Sequence, residues 1–213
     1  ATFKGNGICE LTSEATRESL TFSLGKIGNV DEEHFEAIRT LLDTMGEVKI
    51  EENFIGARWA KLLVNAAFSG LSVVTGDNFG AIAANKTSKL LALEAIKECI
   101  DICDKAEIKI EPIQGKDVVK LMDYKNKFRR WISLQILPIA MKKHRLIKSS
   151  MLRDIARGHK CEIEAINGVV CSYGDKVGVE TPINDRIVEI VHRIEAGELK
   201  SEWANLELMK DLL

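Results

Sequence analysis

From residue 51 onward, apolar residues recur at every third or fourth position and the alternation expected of strands almost disappears. That periodicity commits most of the chain to helices packed on one another. It predicts one helix over 57–75 and another over 88–106, the second with Leu91, Ala95, Cys99, Ile102 and Cys103 along one stripe. Further helices are predicted over 115–124 and 127–148. The latter is interrupted near Pro138, whose nitrogen has no proton to donate and whose ring clashes one turn back. Ser149 is placed to cap the next helix. Residues 162–173 continue helically and halt at Gly174. Thr181-Pro182 then reads as a cap followed by proline at the first helical position, and Ile183, Ile187, Ile190, Val191 and Ile194 form a buried stripe ending before Gly197.

The first fifty residues have a different texture. Residues 8–12 and 20–24 have strand character and are joined by a polar link over 13–19, a pattern that suits a hairpin. Asp31, Glu32 and Glu33 then place acids at a helix start, Phe35, Ile38, Leu41, Leu42 and Met45 follow at helical spacing until Gly46, and 48–50 make a short third strand. So few elements enclose little apolar area, so this piece reads as the edge of a larger sheet. An exposed strand edge also invites pairing between chains, and a homodimer or a swapped pair is expected. The fold class is therefore mainly α, with a helical domain over 51–213 preceded by a small α/β remnant over 1–50.

Composition narrows the function. The 213 residues are 46% hydrophobic and 29% charged, with 30 basic against 32 acidic side chains and a net charge of −2. Disorder is excluded, and no global attraction to nucleic acid or to an acidic membrane exists. No apolar run approaches the roughly 18 to 20 residues that cross a bilayer, and the N-terminus lacks the basic head and apolar core of a secretory signal, so a cytoplasmic location is expected. The odd set Cys9, Cys99, Cys103, Cys161 and Cys171 reads as reduced thiols. Cys99 and Cys103 fit an apolar stripe, and none of His34, His144, His159 or His192 stands at ligand spacing to them, so no metal site is expected. Gly5-Asn6-Gly7 lacks the third glycine of a dinucleotide fingerprint and precedes a strand, so these residues carry no recognisable nucleotide cradle.

The sharpest local feature lies within 58–72. At about 100° per residue, Lys61, Asn65, Ser69 and Ser72 fall within an arc of roughly 80°, while Trp59, Leu62, Leu63, Val64, Ala66, Ala67 and Phe68 fill the rest. A helix this greasy is normally buried, and a buried lysine needs a partner or a task. Lys61 either faces a cleft as a proton donor, with amide and hydroxyl groups along the same face, or lays its stem on the surface with the ammonium in water. Glu162 raises the same question, because Ala165, Ile166 and Val169 surround it at helical spacing, whereas Glu164 points away. Lys61 is the obvious cation for it; a structural ion pair or a helix-start acid is the alternative. Between residues 116 and 148, ten Lys/Arg oppose Asp117 and Asp123, giving about +8 with Tyr124, Phe128 and Trp131 interleaved. This stretch is either a solvated amphipathic helix or a nucleic-acid or protein-binding face. Salt separates these, since phosphate binding weakens steeply between low and moderate salt.

Trp59-Ala60-Lys61-Leu62-Leu63-Val64-Asn65, followed by Thr75-Gly76 and Gly80, resembles the WxKLxxN helix of the ketopantoate reductases, or 2-dehydropantoate 2-reductases. Ser150-Met151-Leu152-Arg153-Asp154, then Gly158, Glu162-Ile163, Ile166-Asn167-Gly168 and 178–184, resemble that family's second signature in matching order, so that about 45–197 is covered. The resemblance implies a helical domain like the C-terminal domains of ketopantoate reductase and 6-phosphogluconate dehydrogenase relatives. It also implies that residues 1–50 are the last strands and helix of a dinucleotide-binding domain whose earlier part is missing. The implied reaction is NADP-dependent reduction of a 2-oxo acid, ketopantoate in the type members, to the 2-hydroxy acid in pantothenate biosynthesis. Lys61 then matches the general acid, Asn65 and Ser150 substrate-binding positions, and Glu162 the acid on the nicotinamide side of the cofactor. Ser69 stands where a second substrate asparagine is expected. Phe79 replaces a third, with Asn78 beside it, and Cys161 stands where threonine is common. These departures point to a larger or more apolar 2-oxo acid.

Overall fold

Within the first fifty residues, two strands pair in parallel across a helix. The computed structural model describes residues 2–5, 7–10, 20–113 and 115–213, and the chain divides into two compact units, Ala1–Ile55 and Gly56–Leu213. In the first unit, β1 (Thr2–Gly5) pairs antiparallel with β2 (Ile8–Glu10). Strand β3 (Thr21–Leu24) pairs in parallel with β4 (Glu47–Ile50), in register from Thr21 opposite Glu47 to Leu24 opposite Ile50. The hairpin expected between 8–12 and 20–24 is thus not formed among the described residues, and its link at 13–19 lies outside them. A parallel pair needs a crossover, and α1 (Glu32–Asp43) supplies it, started by the Asp31 carboxylate accepting from the His34 N–H at 3.0 Å. Only Phe35 of the α1 stripe is buried. Ile38, Leu41 and Met45 are exposed, as are Ile8, Ile27 and Ile50 in the same unit.

The second unit is helical. Its central element is α2 (Phe54–Thr75), in which every residue from Ala66 to Thr75 is buried. Around it lie α3 (Phe79–Ala84), α4 (Lys86–Lys105), α5 (Val118–Met122), α6 (Lys127–Ala140), α7 (Ser150–Ala156), α8 (Val169–Val177) and α9 (Pro182–Glu195). A wide turn over Glu164–Gly168 leads into α8, and a 3₁₀ segment, Trp203–Leu212, closes the chain. That segment finishes α2: the Val74 carbonyl accepts from Asn205 Nδ2 at 2.9 Å and from the Glu202 N–H at 3.1 Å. The core joins the α4 stripe, including fully buried Cys99 and Cys103, to Ile183, Ile187, Ile190, Val191 and Ile194 of α9. None of the described helices is long and apolar enough to cross a membrane.

Three boundaries differ from expectation. The 127–148 helix ends at Ala140, two residues past Pro138, and continues only as a 3₁₀ turn over Met141–His144. The 115–124 helix shortens to α5, because Gly115 adopts a positive φ of 75°. Gly174 does not stop α8. The helix runs past it to Gly178, which takes the left-handed conformation, while Gly174 lets the returning chain approach: a Cβ there would lie 2.6 Å from the Val179 carbonyl oxygen.

Gly70, in the middle of α2, gives the first test. A Cβ at this position would lie 2.5 Å from Ile187 Cγ2 and 2.9 Å from Asn167 Oδ1. In an open helix Gly→Ala stabilises by about 1 kcal/mol. Gly70→Ala is expected to do the reverse and lower unfolding free energy by about 1–3 kcal/mol, through overpacking. Urea denaturation measures it, and an unchanged or raised midpoint would show that α9 yields freely here.

Candidate active site

The polar stripe of α2 runs from solvent into the bundle. Lys61 is exposed, Asn65 half-buried, Ser69 buried and Ser72 fully buried. The rise of about 1.5 Å per residue spreads these four over roughly 16 Å. At its inner end, the Ser72 hydroxyl donates to the Asp77 carbonyl at 2.7 Å and accepts from the Ser149 N–H at 3.3 Å. Ser149 in turn caps α7, its Oγ accepting from the Leu152 N–H at 3.1 Å. Ser150 follows directly on that contact, and the Ser150 hydroxyl donates to Glu162 Oε1 at 3.0 Å. On the other side Asp77 is followed by Asn78, whose Oδ1 accepts from the Ala81 N–H at 2.9 Å to cap α3. The following N–H groups of Phe79 and Gly80 donate to the carbonyls of Ile147 and Arg145, both at 2.9 Å, and so anchor the segment leading to Ser149.

The structure thus brings Ser150 and Glu162 into contact, and ties Asp77 and Ser149, the residues next to Asn78 and Ser150 in the chain, to Ser72. It does not bury the two charged residues. Lys61 lies exposed at the solvent end of the stripe, and no Lys61–Glu162 ion pair forms. Burial all round α2 begins only at Ala66, a turn beyond it. Glu162 is exposed as well. The buried face after it is Ile163, Ile166, Asn167, Val170 and Gly174, one position away from the stripe that apolar letters alone suggest. Its polar member, Asn167, is held inside by hydrogen bonds, so the hydrophobic pattern misplaced the face. Asn78 keeps its amide oxygen on the α3 cap, which leaves its amide nitrogen as the donor for a ligand.

Behind the stripe lies a buried polar chain that the sequence reading passed over. Glu98 of α4 is buried, and its Oε1 accepts from the Ile183 N–H at 2.7 Å. Its Oε2 accepts from the Asn184 N–H at 3.0 Å and from Asn184 Nδ2 at 2.6 Å. The cap of α9 is therefore this carboxylate; Thr181 donates instead to Asp185 at 3.1 Å. Asn167 Nδ2 then donates to Asn184 Oδ1 at 2.9 Å and to the Ala66 carbonyl of α2 at 3.0 Å. Burial raises the Glu98 carboxyl to about 7, against the pull of its three N–H donors. A signal did exist in the sequence: Glu98 follows Leu91 and Ala95 and precedes Ile102 on the apolar face of its helix.

An exposed brace holds the Glu162 segment from outside. His192 of α9 lies 2.6 Å from Glu164 Oε1 through Nε2 and 3.2 Å from Glu195 Oε2 through Nδ1, and Glu195 Oε1 accepts from the Cys161 N–H at 2.8 Å. The Glu164 hydrogen bond raises the His192 pKa above its usual value. In the basic stretch, Phe128 and Trp131 stay exposed with their rings stacked at 6.3 Å. Arg130 and Tyr124 are spent in a cluster with Glu94, at 2.8 and 2.5 Å.

The chain shares its fold with part of D-mandelate dehydrogenase and of ketopantoate reductases. It superposes on D-mandelate dehydrogenase in complex with NADH at a TM-score of 0.66, with 20% identity over 83% of this chain and 55% of that one. A ketopantoate reductase from Ralstonia eutropha JMP134 superposes at 0.65, with 22% identity over 84% of this chain and 52% of that one. The chain belongs to the ketopantoate reductase family: the model of that family's C-terminal domain (ketopantoate reductase PanE/ApbA C terminal) matches residues 53–195. Among curated relatives, the 2-dehydropantoate 2-reductase of Pyrococcus horikoshii is 30% identical over 154 residues, 71% of this chain and 44% of that protein. The chain spans about half the length of the curated relatives it matches.

Proposed function

We propose that this chain is the substrate-side domain of a reductase that converts ketopantoate, or a larger and more apolar 2-oxo acid, to the 2-hydroxy acid. It works with a dinucleotide-binding domain to which residues 1–50 contribute the closing strands and helix. The observation that carries the reading is that Ser72 of the α2 stripe ties down the Ser149–Ser150 helix start, whose Ser150 hydroxyl in turn donates to Glu162. A 2-oxo acid lying along the stripe presents its carbonyl oxygen to Lys61 and its polar groups to Asn65, Ser69 and Ser150. The Lys61 ammonium stabilises negative charge as it develops on that oxygen and gives it a proton. Glu162, exposed and oriented by Ser150, suits the amide N–H groups of a nicotinamide ring, and NADPH is the cofactor proposed. When bound, that cofactor supplies the hydride that goes to the ketone carbon.

Two further features support the reading. The apolar residues left uncovered in the first unit, Ile38, Leu41 and Met45 among them, suit an incomplete sheet whose neighbours are another part of the enzyme or a second copy in a homodimer. Gly5-Asn6-Gly7 offers no phosphate cradle, so the chain by itself should not hold the cofactor. The test follows NADPH absorbance with ketopantoate and a panel of bulkier 2-oxo acids. Turnover is expected when this chain is joined to its dinucleotide-binding domain, and none from the chain alone. Turnover by the chain alone would put the cofactor site in the wrong place, and no turnover of any 2-oxo acid by the joined protein would overturn the reading.

A further inference from the structure

We propose that Glu98 is a positioning residue for the 2-oxo acid site, acting through Asn184 and Asn167 to hold the Asn65 region of α2 in register with the Glu162 segment. The inference rests on the function proposed above. Its basis is a hydrogen-bond chain across four elements. Glu98 of α4 fixes the N-terminus of α9 and the amide of Asn184; Asn184 Oδ1 receives Asn167 Nδ2; and that same nitrogen reaches the Ala66 carbonyl, next to Asn65. Asn167 also belongs to the wide turn that begins two residues after Glu162, so one amide ties the α2 half of the site to the other half.

The chain is sensitive because little else restrains it. Asn167 Oδ1 is buried without a partner and faces Gly70, so the amide keeps its orientation only through the two acceptors of its nitrogen. One of these, Asn184 Oδ1, points the right way because Glu98 holds the other end of that amide. Glu98 forms no ion pair among the described residues. The titratable groups facing it are Cys99 on its own helix, Cys171 on α8 and Asp185 on α9, none of them a cation. Its grip is therefore purely one of acceptor against donor, and donor and acceptor can be exchanged. Glu98→Gln sets an amide nitrogen against Asn184 Nδ2, and Asn184→Asp sets a carboxylate against Glu98. Together the two substitutions restore complementarity between the side chains. The new amide nitrogen at position 98 donates to one oxygen of the new carboxylate at position 184, and the other oxygen of that carboxylate still accepts from Asn167. The backbone N–H of residue 184 alone goes without its acceptor, so recovery is expected to be large but incomplete.

The experiment measures kcat/KM for the 2-oxo acid and KM for NADPH in the protein that joins this chain to its dinucleotide-binding domain, well below the melting temperature of each variant. Glu98→Gln and Asn184→Asp are each expected to lower kcat/KM for the 2-oxo acid roughly 10- to 100-fold, as misplacement of a site does, with KM for NADPH within about twofold. The double variant is expected to return to within about fivefold of the parent. Folded single variants with unchanged kcat/KM would overturn the proposal, as would a double variant that fails to recover or to fold. If Glu98→Gln alone does not fold, the activity of the double variant decides. A parent protein that reduces no 2-oxo acid removes the proposed function and this inference with it, whereas an active parent indifferent to Glu98→Gln removes the inference only.

Discussion

Lys61→Ala, made in the protein that carries this chain with its dinucleotide-binding domain, is expected to lower kcat by about 10²- to 10⁴-fold, the range supplied by a positioned general acid. Its melting temperature should move by no more than a degree or two. The separation follows from where the side chain lies. Lys61 is exposed at the open end of the α2 stripe and forms no ion pair with Glu162, so its removal opens no cavity and strands no buried charge. Under the proposed function, what is lost is the proton for the ketone oxygen and the charge that stabilises it. A variant that keeps its kcat would place the acid elsewhere, and one that melts far lower would show Lys61 to be structural.

Glu98→Ala acts in the opposite sense, mainly on stability. It strands the Ile183 N–H, the Asn184 N–H and Asn184 Nδ2, all buried, and is expected to cost about 3–5 kcal/mol at pH 5. The loss depends on pH with a definite sign. Burial raises the folded-state pKa of Glu98 from 4.5 to about 7, so the folded protein binds this proton more tightly than the unfolded chain does. The associated stability is fully present below about 4.5 and falls away as pH rises to about 7, by about 3 kcal/mol in total. The gap between parent and Glu98→Ala should narrow by most of that amount between pH 5 and pH 8. His192, raised by its Glu164 hydrogen bond, adds a smaller term lost as pH rises beyond its usual value of 6.5, smaller because the ring is half exposed. Glu195 is lowered despite partial burial, chiefly by the Cys161 N–H, so its contribution is lost only as pH falls below 4.5. Urea unfolding at a series of pH values separates them. Glu98→Gln should flatten the slope between pH 4.5 and 7, and His192→Gln should leave it. A parent whose stability is level across that window would refute the assignment.

Much of the site was legible one-dimensionally. The stripe of Lys61, Asn65, Ser69 and Ser72 is a matter of helical spacing, and spacing survives folding: α2 forms, and the stripe descends into the bundle as its polar members grow closer to the greasy half of the helix. Ser149 caps α7 as its position before Ser150-Met151-Leu152 requires. The burial of Glu162 was misread for an equally physical reason. Periodicity locates a buried face by its apolar letters, and after Glu162 the face turns on Asn167, a polar side chain that enters the core only because Ala66 and Asn184 offer it acceptors. The strand pairing failed similarly. Two short apolar runs with a polar link look alike whether they pair with each other or with strands elsewhere, and β3 pairs with β4 because α1 provides the crossover.

Helical class, polar stripe, helix starts and the motif spacing that marks the family are all written in the order of the residues, because each depends on neighbours close along the chain. Which charges are wet and which are dry was left to the packing of distant segments. Lys61 and Glu162 ended in solvent while Glu98, in a less conspicuous position, was taken inside. Burial of a charge is settled by what remote parts of the chain bring to it, and the N–H groups that hold Glu98 come from a helix start more than eighty residues further on.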